Sequence, residues 1–172
     1  MTARRTAGAT AVALDKLAPN RPVSLGILGS GHEALAHVNA IGTTRTFTSI
    51  KVFSPTQANR EAFAAKFSKQ LGIPCKGVAT PREAVEGVDV VIGATSTRGE
   101  PSLKGEYLSK GQCIGAIGST LPEQWECDPA AMDNEHSEAV APRIGVEESP
   151  GFIDDEQAGV AAGQMVGDGQ VG

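Results

Sequence analysis

Apolar residues in this chain form two kinds of pattern, short continuous runs and longer stretches in which they recur every three or four residues. The continuous runs predict strands near residues 23–28, 49–54, 75–78, 88–94 and 112–117. The helical spacing predicts helices over residues 2–17, 33–41, 59–71 and 81–86. This alternation, in units of roughly 25 to 35 residues, predicts an α/β fold built on a doubly wound parallel sheet. The first strand should lie centrally, beside strands two and four.

Residues that start and stop helices agree with this pattern. The helix over 59–71 should bury one face, formed by Ala62, Phe63, Phe67 and Leu71. Gly72 follows it and suits a left-handed C-terminal cap. Thr80, Pro81 and Glu83 form a capping box at the start of the next helix. Gly42 is expected to end the helix that begins near Glu33.

The composition changes after residue 127. Residues 128–172 are acidic and rich in glycine, and their few large apolar residues have no clear period. We therefore expect a folded domain over residues 1–127 and an irregular, partly disordered tail over 128–172. His136 stands near Asp133 and Glu135, which suggests a metal ligand. A lone surface histidine is the favoured interpretation, since no second histidine lies at ligand spacing, and no metal site is assigned.

A glycine-rich turn directly follows the first predicted strand. Residues 29–34 read Gly-Ser-Gly-His-Glu-Ala and open the next helix, which is the order strand, glycine turn, helix of a dinucleotide-binding motif. Gly29 would allow the sharp turn, and Gly31 would let a pyrophosphate approach the backbone at the helix N-terminus. Ala34 would let the helix pack on the strand. A glycine turn also serves as a plain connection, but the flanking elements favour a Rossmann-like nucleotide site.

Ligands in doubly wound sheets bind at the carboxyl ends of the strands. Here those ends are residues 29–31, 54–56, 95–97 and 118–120, all of them polar or rich in glycine. Because the strands are parallel, the four ends should meet at one edge of the sheet. Their agreement is a stronger signal than the glycine motif alone.

Composition excludes several classes of partner. The chain has 172 residues, 40% of them hydrophobic, and a net charge of −5, which provides no basic surface for nucleic acid. No apolar run approaches the ~20 residues that span a bilayer, and no signal peptide opens the chain. Cys75, Cys113 and Cys127 are odd in number and widely spaced, so we expect free thiols and a cytoplasmic protein.

Three stretches together resemble the ornithine cyclodeaminase/mu-crystallin family. They are Arg-Arg-Thr-Ala-Gly-Ala-Thr at 4–10, Leu-Gly-Ile-Leu-Gly-Ser-Gly at 25–31, and Gly-Glu-Tyr-Leu at 105–108 followed by Gly111 and Ala-Ile-Gly-Ser at 116–119. The resemblance implies a Rossmann domain that binds NAD(P). It also implies a homodimer formed through a second domain, and a small amino or imino acid as substrate.

The resemblance also implies roles for individual residues. Arg5, with Thr6 beside it, would contact a substrate carboxylate or a cofactor phosphate, although a surface position for Arg5 is an equal alternative. Ser30, His32 and Glu33 would lie in the loop around the pyrophosphate. At the nicotinamide side the resemblance implies contacts from Thr95, Ala116, Ile117 and Gly118.

Two departures from the family pattern affect the expected activity. Ornithine cyclodeaminases have an aspartate two residues beyond the glycine of strand five, where this chain has Thr120. A hydroxyl cannot replace a carboxylate base at neutral pH, so a reductase-like oxidoreductase fits better than a cyclising deaminase. The family's upstream half is also missing, which implies a truncated member that is inactive alone. A nucleotide-binding module without catalysis, or a true cyclodeaminase, remains the alternative.

The end of strand two bears on which dinucleotide binds. NAD-specific sites of this kind usually carry an acidic residue there to hold the ribose 2′-hydroxyl, and this chain has Ser54 and then Thr56. Both hydroxyls can donate to a 2′-phosphate, and Arg60 lies within reach in sequence. The same residues could simply close the turn and cap the helix. The sequence predicts a slight preference for NADP(H).

Overall fold

The protein is built on a five-stranded parallel sheet. The computed structural model describes residues 2–96, 99–118 and 125–132. The strands are β1 (Val23–Leu28), β2 (Phe47–Phe53), β3 (Cys75–Val78), β4 (Val90–Gly93) and β5 (Cys113–Ala116). Their order is β3-β2-β1-β4-β5, and every pairing is parallel. The predicted doubly wound sheet, with β1 central between β2 and β4, is confirmed.

Helices connect the strands and cover the sheet. They are α1 (Thr2–Leu17), α2 (His32–Thr44), α3 (Gln57–Leu71), α4 (Pro81–Val85) and α5 (Pro129–Met132), with a 3-10 turn at Gly105–Tyr107. The predicted caps form. Gly72 has φ of 67° at the end of α3, and the Thr80 hydroxyl accepts a bond from the Glu83 backbone N–H. Within the described ranges, no helix is long and apolar enough to cross a membrane.

The strands are apolar throughout because each side of the sheet is covered. On one side, Leu25, Ile27 and Val52 pack in a cluster with residues of α1, α2 and α3. On the other side, Leu28 and Val91 pack with α4 and with the segment after β4. Alternate residues of one strand therefore enter different cores, which explains runs without polar alternation.

Some predicted boundaries were wrong. Strand β2 begins two residues earlier than expected, at Phe47. Gly42 does not end α2, which continues to Thr44. A Cβ at Gly42 would lie 3.4 Å from the Phe47 ring, in van der Waals contact with the first residue of β2. In α3 the buried face contains Ala64, while Ala62 is exposed.

Helices α1 and α2 lie side by side and run in the same direction. Near their C-termini the Arg45 guanidinium donates to the Asp15 carbonyl at 2.5 Å, and halfway along them Thr10 Oγ1 lies 3.2 Å from His37 Nε2. Since α2 starts directly after the carboxyl end of β1, the N-terminus of α1 also lies at that edge of the sheet. The topology thus brings Arg4 and Arg5 to the edge where ligands of such sheets bind.

Part of the predicted tail is ordered. Asp128 Oδ1 accepts bonds from the backbone N–H groups of Gly105, at 2.9 Å, and Ala131, at 2.8 Å. This contact starts the short helix α5 where the sequence predicted irregular chain. The remainder of that prediction, including His136, lies outside the described residues.

Candidate functional site

A groove of about 350 Å³ opens at the carboxyl edge of the sheet. It lies between the ends of β1, β2 and β4, and its polar lining comes mainly from the turns that follow these strands. The lining residues are Gly29, Ser30, Gly31, Phe53, Ser54, Pro55, Asn59, Ala94, Thr95, Ser96 and Ser102. Three of the four predicted strand ends therefore meet in one groove.

The two glycines of the turn after β1 differ in backbone conformation and in the space available for a side chain. Gly29 has φ of 110°, a conformation that favours glycine, and a Cβ there would collide with the Ala94 carbonyl oxygen. Gly31 is the N-cap of α2 in ordinary extended backbone, and a Cβ there would meet nothing within 4 Å. The space in front of Gly31 is therefore open towards the helix N-terminus, where no side chain caps α2.

Small residues also determine how closely α2 approaches β1. The Ala34 side chain is completely buried in the core between that helix and the sheet. It occupies the position at which the motif requires a small residue. The geometry therefore agrees with the three roles that the sequence suggested for this turn.

At the end of β2 the backbone is held by a basic side chain. Ser54 is buried, and its carbonyl accepts a 3.0 Å bond from Arg60 Nη1. Thr56 is exposed; its carbonyl accepts the first bonds of α3, while its hydroxyl makes no cap bond. The Arg60 guanidinium therefore lies beside the backbone of residue 54, although Arg60 does not line the groove.

A buried acid that the sequence analysis missed connects the ends of β4 and β5. Glu126 is 3% exposed, and its Oε1 accepts bonds from the Thr95 N–H at 2.7 Å and the Thr95 hydroxyl at 2.9 Å. Its Oε2 accepts bonds from the N–H groups of Ile117, at 3.0 Å, and Gly118, at 2.6 Å. The acid stands between exposed Trp125 and half-buried Cys127. This local sequence contains no signal for a buried acid.

The remaining residues predicted at the site are not among those that line the groove. Ala116 is exposed at the end of β5, and Ile117 and Gly118 follow it. Arg5 is exposed near the start of α1 and has no hydrogen-bond or ion-pair partner among the described residues. It does not line the 350 Å³ groove.

Thr6 and Glu33 use their carbonyl groups within the helices, accepting bonds from Thr10 at 3.0 Å and from His37 Nδ1 at 2.8 Å. His32 lines a second groove of about 630 Å³ between α1, α2 and α3, together with Arg4 and Lys66. His32, in the first turn of α2, therefore faces this second groove and not the strand ends.

The nearby thiol is not suited to nucleophilic chemistry. Burial, and then the charges of Glu126 and Asp128, raise the pKa of Cys127 to about 12. A thiol with such a pKa stays protonated at neutral pH and is a poor nucleophile. All three cysteines are free, and burial also raises the pKa of Cys75 and of Cys113.

Comparison with known proteins decides the family. Residues 1–140 match the model of the ornithine cyclodeaminase/mu-crystallin family, a match that includes α1, the sheet and Glu126. The chain belongs to this family. The resemblance inferred from the three short stretches is confirmed.

Several members of the ornithine cyclodeaminase/mu-crystallin family are similar to this chain. Ketimine reductase mu-crystallin of Mus musculus is 34% identical over 132 residues, which are 77% of this chain and 41% of that protein. The Thermococcus litoralis Δ1-pyrroline-2-carboxylate reductase, solved with NADH and L-proline, superposes with a TM-score of 0.72 at 34% identity, covering 76% of this chain and 40% of that one.

The iminosuccinate reductase of Paracoccus denitrificans, solved with NAD⁺, has a TM-score of 0.65 at 29% identity and covers 75% of this chain and 39% of that one. The chain thus spans about two fifths of the length of these relatives. Thr120, at which this chain departs from the cyclodeaminase pattern, lies outside the described residues.

Proposed function

We propose that this chain is the NAD(P)-binding part of an oxidoreductase that acts on small amino or imino acids. The observation that carries the proposal is the groove in which Gly29, Gly31 and the uncapped start of α2 meet the ends of β2 and β4. Family membership supports the class of reaction, since the similar proteins named above are reductases of imino acids.

The groove fits the phosphates of a dinucleotide. The open space before Gly31 lets a pyrophosphate approach the backbone, and the first turn of α2 presents N–H groups and the positive end of the helix dipole. The adenosine half would then lie toward Ser54 and Thr56. The nicotinamide half would lie toward Thr95, Ala116, Ile117 and Gly118, and the bound cofactor would supply the hydride.

Arg5 is proposed to bind the carboxylate of the substrate or a phosphate of the cofactor. Its guanidinium is exposed at the carboxyl edge of the sheet and free of partners among the described residues, so it is available for a bidentate contact. Ser30, His32 and Glu33 are proposed to contact the phosphates through the backbone of the loop and of the first turn of α2, with Thr6 nearby at the start of α1.

Binding of NAD(H), NADP(H) and ADP-ribose, measured by calorimetry on the 172-residue chain, tests the first part of the proposal. All should bind, since each presents a pyrophosphate to the turn after β1. Failure of every one of these ligands to bind would refute the assignment of the groove.

The reaction is tested by joining this chain to the segments of the mouse ketimine reductase that have no counterpart in it. The hybrid should oxidise NAD(P)H when given a cyclic imine such as Δ1-pyrroline-2-carboxylate. Release of ammonia from ornithine with no net change in the dinucleotide would instead indicate a cyclodeaminase. A hybrid that binds the dinucleotide but transforms neither compound would indicate a binding module.

The proposal extends to a preference for NADP(H) over NAD(H). Residue 54 is a serine, so no carboxylate repels a 2′-phosphate, and the Arg60 guanidinium is already held at the carbonyl of that residue. Ser54→Asp should weaken NADP(H) about tenfold relative to NAD(H), a difference of ~1.4 kcal/mol. Ser54→Ala, which removes the hydroxyl without adding charge, should change that ratio far less. An unmutated chain that prefers NAD(H) tenfold would contradict the preference.

A further inference from the structure

Glu126 holds the ends of two strands together without belonging to either strand. Among the described residues, four uncharged groups donate to it, two from Thr95 after β4 and two from residues 117 and 118 after β5. The backbone of Glu126 is fixed as well, because its carbonyl accepts a 2.9 Å bond from the Leu103 N–H. The carboxylate is therefore held rigidly between two turns of the carboxyl edge.

Two glycines make the space that this carboxylate occupies. A Cβ on Gly93, the last residue of β4, would lie 2.6 Å from Cδ of Glu126. A Cβ on Gly118 would collide with the Thr95 carbonyl oxygen and would also lie 2.6 Å from Oε1 of Glu126. Real Cβ atoms do not approach so closely, so the acid excludes a side chain at Gly93, and the acid and the Thr95 carbonyl together exclude one at Gly118.

A carboxylate suits this position better than any neutral side chain. When ionised it only accepts hydrogen bonds, and its two oxygens can accept all four donors at once. Burying a carboxylate without such donors costs free energy. The acid is therefore stable at this position only while both turns present their donors to it. In a glutamine, the amide NH₂ would have to face either Thr95 or the N–H groups of residues 117 and 118, donor against donor.

We propose that Glu126 is a positioning residue for the nicotinamide half of the dinucleotide. The inference rests on the proposed function, because Glu126 holds Thr95, Ile117 and Gly118, which are the residues expected beside the nicotinamide. The adenosine side of the groove is built by the turns after β1 and β2. Glu126 should therefore govern one half of the cofactor site and leave the other half unchanged.

The test compares two ligands on wild type and Glu126→Gln. ADP carries the adenosine and the diphosphate but neither the nicotinamide nor its ribose, and each of its contacts is shared by NAD(H). Glu126→Gln should raise the dissociation constant of NADH about fivefold or more, the equivalent of losing one hydrogen bond of ~1 kcal/mol, and that of ADP less than twofold.

Saturation-transfer NMR of bound NADH provides a readout that does not depend on affinity. In the variant, the signal of the nicotinamide protons should fall relative to that of the adenine protons. Asp89→Asn is the matched control, since it makes the same acid-to-amide change on a carboxylate that accepts a backbone N–H and a serine hydroxyl at the far ends of β1 and β4. It should leave the ratio of the two signals unchanged.

Glu126→Asp is the second variant in case the glutamine variant does not fold. It keeps the charge but withdraws the carboxylate by one methylene, so it cannot reach both turns, and the nicotinamide signal should fall in the same way. Equal weakening of both ligands, or an unchanged signal ratio in a folded variant, would overturn the inference. Failure of wild type to bind either ligand would overturn the proposed function together with it.

Discussion

At the scale of single residues, Gly29 and Gly31 show that neighbouring glycines can be required for different reasons. Gly29 is needed for folding, because its backbone conformation and the nearby Ala94 carbonyl both exclude a side chain. Gly31 has neither constraint, and only a ligand would compete with a side chain there. The structure thus separates a glycine of the fold from a glycine of the site.

Gly31→Val should fold normally and lose dinucleotide binding. The valine would extend into the open space before α2, where the pyrophosphate is proposed to lie, and its backbone conformation is accessible to any residue. Calorimetry with NADH and a thermal melt would measure the two effects. Gly8→Ala is the control, since a Cβ on this half-buried glycine of α1 also meets nothing within 4 Å. Unchanged affinity in a folded Gly31→Val protein would refute the phosphate position.

At the scale of elements, the amino ends of β1 and β4 are joined by Asp89. Its carboxylate accepts bonds from Arg21 Nη2 at 2.6 Å and from the N–H and hydroxyl of Ser24, each at 2.8 Å. The hydrogen bond from Arg21, with those from Ser24, lowers the pKa of Asp89 from 3.8 to about 2, against the opposing effect of burial. The folded state therefore favours the ionised acid.

Asp89→Asn should lower the free energy of unfolding at pH 7 by about 1 kcal/mol, a value reduced by partial exposure of the group. Because the folded pKa is depressed, the stabilisation is complete above pH 3.8 and is lost as the pH falls through about 2. Urea unfolding at pH 7 and at pH 2 would measure this. Glu86→Gln, which breaks the exposed pair with Arg82, should change stability much less at either pH. An equal loss of unfolding free energy in Asp89→Asn at both pH values would contradict this pH dependence.

The elements also show which features a sequence can predict. Strands, caps and sheet order follow from local patterns, and they were predicted to within a few residues. The prediction at Gly42 failed because a single glycine only weakens a helix and does not by itself end it, and α2 continues two residues further. Glu126 was missed because its role depends on four donors from two distant turns, and an acidic residue is expected in solvent unless such partners are known.

At the scale of the whole molecule, three grooves lined by described residues are compared as ligand sites. One is the groove of about 350 Å³ at the carboxyl edge, and a second of about 630 Å³ lies along α2 with Arg4, His32 and Lys66. A third, of about 290 Å³, involves residues 42–47 with Leu71 and Ile73. The third lies at the amino edge, where β1 and β2 begin, so it offers neither glycine turn nor helix N-terminus to a phosphate.

Hydrogen exchange on adding NADH should distinguish the three grooves. A ligand in the groove at the carboxyl edge should slow local exchange at residues 30–34, 54–56 and 94–96, because it shields these turns and restricts their opening. Short labelling times are needed, since any tight ligand also protects the whole molecule by raising the free energy of global unfolding. The increase is ~2.7 kcal/mol at a ligand concentration one hundred times the dissociation constant. Residues 42–47 serve as the internal control and should exchange at an unchanged rate. Protection confined to those residues, or to the helices around Arg4 and Lys66, would move the dinucleotide out of the proposed groove.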